Sequence, residues 1–116
     1  MNQDQTINYI EIPVKDITAT KAFFGKVFGW QFEDYGPEYS CFTNAGIAGG
    51  FFLSDKGFDI ASGSPLIVLY AKALEVCLTS VADAGALITQ EIFSFPGGRR
   101  FHFKDPNGNE FAVWSE

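Results

Sequence analysis

Residues 99–114 read RRFHFKDPNGNEFAVW. Asp105 and Pro106 occupy the first two positions of a type I turn, and Gly108 occupies the fourth. Before the turn, phenylalanines alternate with basic residues, and after it apolar residues alternate with the rest of the strand. This alternation is typical of two half-buried strands. The stretch therefore predicts a β-hairpin.

The two strands of the hairpin bring their apolar residues onto one face only if the loop holds five residues, 105–109. In that register Phe103 lies opposite Phe111, on the face that we expect a helix to cover. A shorter loop would place Phe103 opposite Glu110 and bury a carboxylate against an aromatic ring. With five loop residues Lys104 opposes Glu110, and we expect these two side chains to pair.

The other face of the hairpin carries Arg100, His102, Ala112 and Trp114. His102 is the only histidine of the chain, and an arginine, a histidine and a tryptophan are costly to enclose unless a polar group meets them. This face is either the wall of a ligand site or an ordinary solvated face on which Arg100 stacks against Trp114 by a cation–π contact.

Upstream of the hairpin, the chain repeats one pattern twice. Each half begins with an apolar strand, at 7–14 and at 66–70, and continues with an amphipathic stripe that ends at Gly29 or Gly85. Asp16 can cap the first helix, whereas Ala71, Lys72 and Ala73 provide no capping side chain for the second. Three strands follow each helix, at 30–36, 39–42 and 47–53 in the first half and at 86–93, 99–104 and 110–114 in the second.

This order predicts an α+β fold made of two β-α-β-β-β modules, residues 6–53 and 65–115, joined by a linker at 54–64 that is rich in glycine and serine. The length of 116 residues fits a single domain, 1–116. Cys41 and Cys77 lack the spacing of a metal or redox motif, so we expect two reduced residues in the core.

The charge balance excludes several partners. Fourteen acidic and eight basic residues give a net charge of −6, which disfavours nucleic acid and anionic membrane surfaces. Neither a signal peptide nor a membrane-spanning run is found, so the expected location is cytoplasmic.

Two segments, VKDITATKAFFGKVFGWQF at 14–32 and PGGRRFHFKDPNGNEFAVW at 96–114, resemble the glyoxalase, bleomycin-resistance and extradiol-dioxygenase superfamily, also called vicinal oxygen chelate proteins. The resemblance covers nearly the whole chain. It implies that the two modules curl into a cupped half-barrel with the helices outside and the ligand inside. It also implies a homodimer.

Enzymes of this family hold a divalent metal with histidine and glutamate side chains. The positions that the resemblance assigns to these ligands are Asn8, Leu66 and Ala112 in this chain, and none is a histidine or a carboxylate. We therefore expect no metal cofactor. A displaced site made by His102, Glu110 and Glu11 is disfavoured, because Glu11 alternates onto the face opposite Asn8.

Three functions stay open at this stage. The first is a metal-free protein that binds a small, partly aromatic or anionic metabolite in a pocket formed by Arg100, His102, Trp114 and the three former ligand positions. The second is a glyoxalase-like lyase, isomerase or dioxygenase, with a displaced metal or none, in which His102 is the acid–base group. The third is a non-catalytic dimeric interaction module.

Overall fold

The computed structural model describes residues 2–116. The elements of the first half are β1 (Tyr9–Val14), α1 (Ile17–Phe28), β2 (Phe32–Asp34), β3 (Tyr39–Phe42) and β4 (Ala48–Leu53). Those of the second half are β5 (Ile67–Tyr70), α2 (Leu74–Asp83), β6 (Leu87–Phe95), β7 (Gly98–Lys104) and β8 (Glu110–Ser115). The predicted order β-α-β-β-β is confirmed in both halves.

The chain divides into two compact units, one ending at Lys56 and the other running from Gly57 to Glu116. The boundary falls within the predicted linker. The part of the linker after this boundary belongs to the second unit, since the backbone N–H of Phe58 donates to Asn109 Oδ1 at 2.9 Å. A short 3₁₀ helix, Ile60–Ser62, lies within it.

Each unit contains one helix and one open four-stranded mixed sheet. The strand order is β1-β4-β3-β2 in the first sheet and β5-β8-β7-β6 in the second. The first strand of each unit pairs in parallel with the last, and the remaining pairs are antiparallel. The two sheets therefore share one topology, as expected for the repeated pattern.

Local sequence explains how the helices begin and end. Asp16 accepts a hydrogen bond from the backbone N–H of Ala19 at 3.0 Å, and α1 ends at Gly29 with a positive φ of 72°. At the start of α2, Ala73 makes no capping bond, as the sequence predicts, and Gly85 follows the helix with a φ of 92°.

Phenylalanines dominate the core of each unit. In the first, Phe24 of α1 stacks against Trp30 with ring centroids 4.8 Å apart and meets Phe51 of β4 at 5.5 Å. In the second, Phe103 and Phe111 are fully buried and stack at 5.6 Å, which confirms that they lie opposite each other. No helix among residues 2–116 is long and apolar enough to cross a membrane.

Both cysteines are free, as predicted. The expectation that they lie in the core is wrong, because each is only half-buried. Cys41 lies on the sheet face turned away from α1, where its sulfur contacts the Tyr9 hydroxyl oxygen at 3.3 Å.

The difference between the two helix starts can be tested by substitution. We expect Asp16→Ala to lower the free energy of unfolding by about 1 kcal/mol, because the Ala19 N–H loses its acceptor. Ala73→Asp adds an acceptor where α2 has none and is expected to raise the free energy of unfolding by a smaller amount, about 0.5 kcal/mol. Urea unfolding measures both, and equal effects of the same sign would contradict this account.

Candidate functional site

The β7–β8 hairpin has the predicted register. Arg100 pairs with Trp114, His102 with Ala112 and Lys104 with Glu110. The loop holds five residues, and the Asp105 N–H donates to the Asn109 carbonyl at 2.9 Å across its base. Alternation along β7 and β8 therefore places Arg100, His102, Ala112 and Trp114 on one face of the second sheet.

The helix α2 covers the other face. Arg99, which precedes Arg100 in β7, forms an ion pair with Glu75 of α2, and Phe101 and Phe103 are fully buried. We call the face turned away from α2 the open face of the second sheet. By register it carries Val68 and Tyr70 from β5, Leu87, Gln90, Phe93 and Phe95 from β6, Arg100, His102 and Lys104 from β7, and Glu110, Ala112 and Trp114 from β8.

His102 lies at the centre of this face and is only 5% exposed. Its Nδ1 is 2.9 Å from Glu110 Oε2. An ionised carboxylate only accepts hydrogen bonds, so the proton of the neutral ring lies on Nδ1 and Nε2 is left as an acceptor; a second proton would make Nε2 a donor. Nε2 is buried and has no hydrogen-bond partner among residues 2–116.

The expected Lys104–Glu110 pair is wrong. Although Lys104 opposes Glu110 in the sheet, the Glu110 carboxylate bonds to His102 instead. The physical reason is burial: a lysine keeps its ammonium in water by extending along the surface, whereas an enclosed imidazole needs a partner close by.

Arg100 lies against two aromatic rings of β6. Its guanidinium carbon is 5.3 Å from the centroid of Phe93 and 5.6 Å from that of Phe95. The alternative in which Arg100 stacks on Trp114 is not observed; Trp114 makes an edge contact with Tyr70 at 5.2 Å. The Nε of Arg100 is buried and, like His102 Nε2, has no hydrogen-bond partner among residues 2–116.

Phe93 connects these two polar groups, because its ring also contacts His102 with centroids 5.9 Å apart. Sequence reasoning missed Phe93 and Phe95. The pairing of β6 with β7 shifts register between Ile88 and Gln90 and again between Gln90 and Phe93. Such irregularities break the two-residue alternation, so no periodicity in the sequence could place these rings on the open face.

The open face can act on a ligand in two ways. Arg100 has no acidic partner within 4.0 Å in the described residues, so it can bind an anion. His102 Nε2 can accept a proton or donate one, with its ring held by Glu110. Because a buried polar group without a partner costs about 1–3 kcal/mol, a ligand that bonds to these nitrogens would recover that cost.

The former metal-ligand positions differ in their surroundings. Ala112 is fully buried beside His102, and Leu66 is half-buried just before β5. Asn8 is exposed before the first residue of β1, and its side-chain N–H donates to Asn2 Oδ1 at 2.8 Å. Within residues 2–116 no group of three or more His, Cys, Asp or Glu side chains could hold a metal ion.

The donor set therefore does not fit the metal of the resembled enzymes, since alanine and leucine supply no ligand atom and His102 with Glu110 supplies too few. A separate cavity of about 580 Å³ is lined by Phe42–Ala48, around the β3–β4 turn. It belongs to the first unit, and its lining contains no titratable side chain.

Comparison with known proteins places the chain in a family. Residues 6–113 match the family model of the Glyoxalase/Bleomycin resistance protein/Dioxygenase superfamily. The chain belongs to this superfamily. No curated protein matches the sequence.

Solved structures of the superfamily confirm the glyoxalase-like fold. A variant of the fosfomycin resistance protein FosX from Listeria monocytogenes, complexed with Mn(II) and 1S,2S-dihydroxypropylphosphonic acid, is 19% identical, with a TM-score of 0.81 over 97% of this chain and 91% of that one. A family enzyme from Burkholderia phytofirmans PsJN is 19% identical, with a TM-score of 0.79 over 93% and 96%. Lactoylglutathione lyase from Agrobacterium tumefaciens is 17% identical, with a TM-score of 0.73 over 98% and 96%.

The His102–Glu110 bond makes a spectroscopic prediction. With Glu110 in place, the neutral ring should carry its proton on Nδ1, which ¹⁵N shifts of the ring nitrogens report directly. Glu110→Gln should release the ring into a mixture of both tautomers. Lys104→Met is the matched control and should leave the ring unchanged, because Lys104 is not bonded to Glu110. A tautomer mixture that is the same in all three proteins would contradict the assignment.

Proposed function

We propose that this superfamily member binds a small anionic molecule with an aromatic or apolar part, without a metal, on the open face of the second sheet. The observation that carries the proposal is the pair of buried nitrogens without partners, His102 Nε2 and Arg100 Nε. The two residues are two positions apart on β7, so their side chains project from the same face.

Charge favours an anion over a neutral ligand. The Glu110 carboxylate of this face is already bonded to His102, and the Glu116 carboxylate accepts from the Tyr70 hydroxyl. Arg100, in contrast, has no acidic partner within 4.0 Å in residues 2–116. A carboxylate or phosphonate would supply acceptors for the guanidinium and for a protonated His102.

The apolar part of the ligand is supported by the rings around these nitrogens. Phe93 and Phe95 both lie against the guanidinium, and Trp114 and Tyr70 form an aromatic pair opposite Arg100. A lining of aromatic side chains with a few polar groups is typical of sites that bind small molecules. The homodimer and the cytoplasmic location expected from the sequence stay predictions.

Benzoate is a suitable probe for this site, with benzyl alcohol as its uncharged counterpart. We expect benzoate at millimolar concentration to shift the amide signals of β7 and β8 and the indole signal of Trp114, and benzyl alcohol to shift them much less. Arg100→Met should weaken benzoate binding about tenfold, because a charge-assisted bond is lost.

Arg99→Met is the matched control. Arg99 is adjacent in the chain but faces α2 and pairs with Glu75 on the surface, so benzoate affinity should change by no more than about twofold. Equal losses in the two variants would attribute the effect to general charge, and the proposed site would be wrong.

Metal analysis separates this function from the metal-dependent alternative, since FosX was solved with Mn(II). Protein purified without chelators is expected to contain far less than one Mn, Fe, Ni or Zn per chain. Added Mn(II) should leave the melting temperature unchanged, because only an ion that binds the native state raises it. One tightly held ion per chain that is lost in His102→Gln would overturn the metal-free proposal.

A further inference from the structure

The first sheet carries its own polar cluster on the face turned away from α1. Phe24 of α1 contacts Phe51 of β4, so residues that alternate with Phe51 lie on the opposite face. By register that face holds Glu11 of β1, Gly50 of β4 and Cys41 of β3 in one row across the sheet. None of the side chains in this row belongs to the site on the second sheet.

Four side chains of this face are joined by hydrogen bonds, and we call them the acceptor cluster: Tyr9, Glu11, Tyr39 and Cys41. The Tyr39 hydroxyl donates to Glu11 Oε2 at 2.9 Å. The two phenol oxygens of Tyr9 and Tyr39 are 2.6 Å apart. The Tyr9 oxygen is also 3.3 Å from Cys41 Sγ.

Gly50 makes this arrangement possible. Glu11 and Tyr39 are on strands that flank β4, so the Tyr39 ring must reach across β4 to bond to Glu11. A Cβ at Gly50 would lie 2.6 Å from the Tyr39 hydroxyl, which is closer than real Cβ contacts allow. The missing side chain leaves the space that the phenol occupies.

The carboxylate fixes the direction of every proton in the cluster. Ionised Glu11 can only accept, so Tyr39 donates to it and the Tyr39 oxygen accepts from Tyr9. Because Tyr9 donates its only hydroxyl proton to Tyr39, the thiol of Cys41 donates to the Tyr9 oxygen. All three protons therefore point along this series of hydrogen bonds towards Glu11. Only acceptor positions are left to face a ligand.

Tyr39 keeps its proton at neutral pH. Partial burial and the bond to Glu11 raise the pKa of Tyr39 well above its usual range. The phenol oxygens are therefore neutral acceptors, and the negative charge of the cluster belongs to Glu11.

The Glu11 carboxylate has no ion-pair partner in the part of the chain that the structure describes. No basic side chain lies within 4.0 Å of Glu11 in residues 2–116. Glu11 is exposed and Tyr9 is 43% exposed, so a ligand can reach both. The open side of Tyr9 also offers an aromatic face beside a carboxylate, which is a combination that attracts organic cations.

We propose that the acceptor cluster binds an organic cation through a primary ammonium group. An ammonium has three donors and no acceptor, which complements a cluster with acceptors and no free donor. The Glu11 carboxylate takes one donor, the Tyr9 oxygen takes a second, and the Tyr9 ring lies beside the charge. A metal ion is a poorer match, because neutral phenols are weak ligands and residues 2–116 contain no group of three or more His, Cys, Asp or Glu side chains that could hold a metal ion.

Benzylammonium is the probe, with benzyl alcohol as its neutral counterpart. At millimolar concentration benzylammonium should shift the amide signals of Tyr9, Cys41 and Gly50, and benzyl alcohol should not. Glu11→Gln keeps the size of the side chain and removes its charge, and it should weaken benzylammonium binding about tenfold or more.

Two further variants control the experiment. Glu33 lies on the same face and accepts a hydrogen bond from Tyr35 at 3.1 Å, so Glu33→Gln removes an equal charge outside the cluster and should change the affinity by no more than about twofold. Tyr39→Phe breaks the bond to Glu11 and frees the Tyr9 proton, so it should weaken binding by about threefold or more. A variant that loses its dispersed amide spectrum is no longer folded. If this happens to Glu11→Gln or to Tyr39→Phe, the benzylammonium affinity of the other variant tests the proposal.

The result is independent of the proposed anion site. Arg100→Met should leave benzylammonium binding intact, and Glu11→Gln should leave benzoate binding intact. The proposal is overturned if benzylammonium produces no local shifts, or if Glu11→Gln and Glu33→Gln reduce its affinity equally.

Discussion

Asp105 holds the turn between β7 and β8, and the faces of the second sheet depend on that turn. Its carboxylate oxygen Oδ1 accepts from the backbone N–H groups of Asn107 and Asn109 at 2.9 and 3.0 Å. Burial nevertheless raises the pKa of Asp105 above its usual value. A loop shorter by one residue would place Phe103 opposite Glu110 instead of Phe111, so the apolar residues of the two strands would no longer share one face.

The two units use one topology to carry opposite chemistry. On the second sheet the face turned away from the helix carries Arg100 and His102, whose Nε and Nε2 atoms have no hydrogen-bond partners among residues 2–116. On the first sheet the corresponding face presents carboxylate and phenol oxygens around Glu11. The helix-facing residues are alike in both, since phenylalanines fill each core. A repeated frame with similar packing thus leaves the other face of each sheet free to differ.

Much of the fold could be predicted because its signals are local. Asp16 and Gly29 bound α1, and the alternation of Phe101 and Phe103 with basic residues fixes the hairpin register. These features depend on neighbouring residues or on a single turn. The same alternation is enough to place His102 and Arg100 together on one face of the hairpin.

The partners of these residues could not be predicted, because they depend on pairing over long distances in the sequence and on burial. Glu110 bonds to His102 and not to the lysine opposite it, because the His102 ring is buried and needs a partner close by. The rings around Arg100 come from β6, where two register shifts interrupt the alternation. The link between Tyr39 and Glu11 requires the parallel pairing of β1 with β4 and a glycine between them, and neither the pairing nor its effect is visible in a local pattern.

The most direct test of the central claim is the anomalous signal of bromine in crystals grown with para-bromobenzoate. The account predicts one bromine site on the open face of the second sheet, with the carboxylate in hydrogen-bond contact with the Arg100 guanidinium and His102 Nε2 and the brominated ring against Phe93 or Trp114. A bromine site elsewhere, with Arg100 and His102 free of the carboxylate, would contradict it.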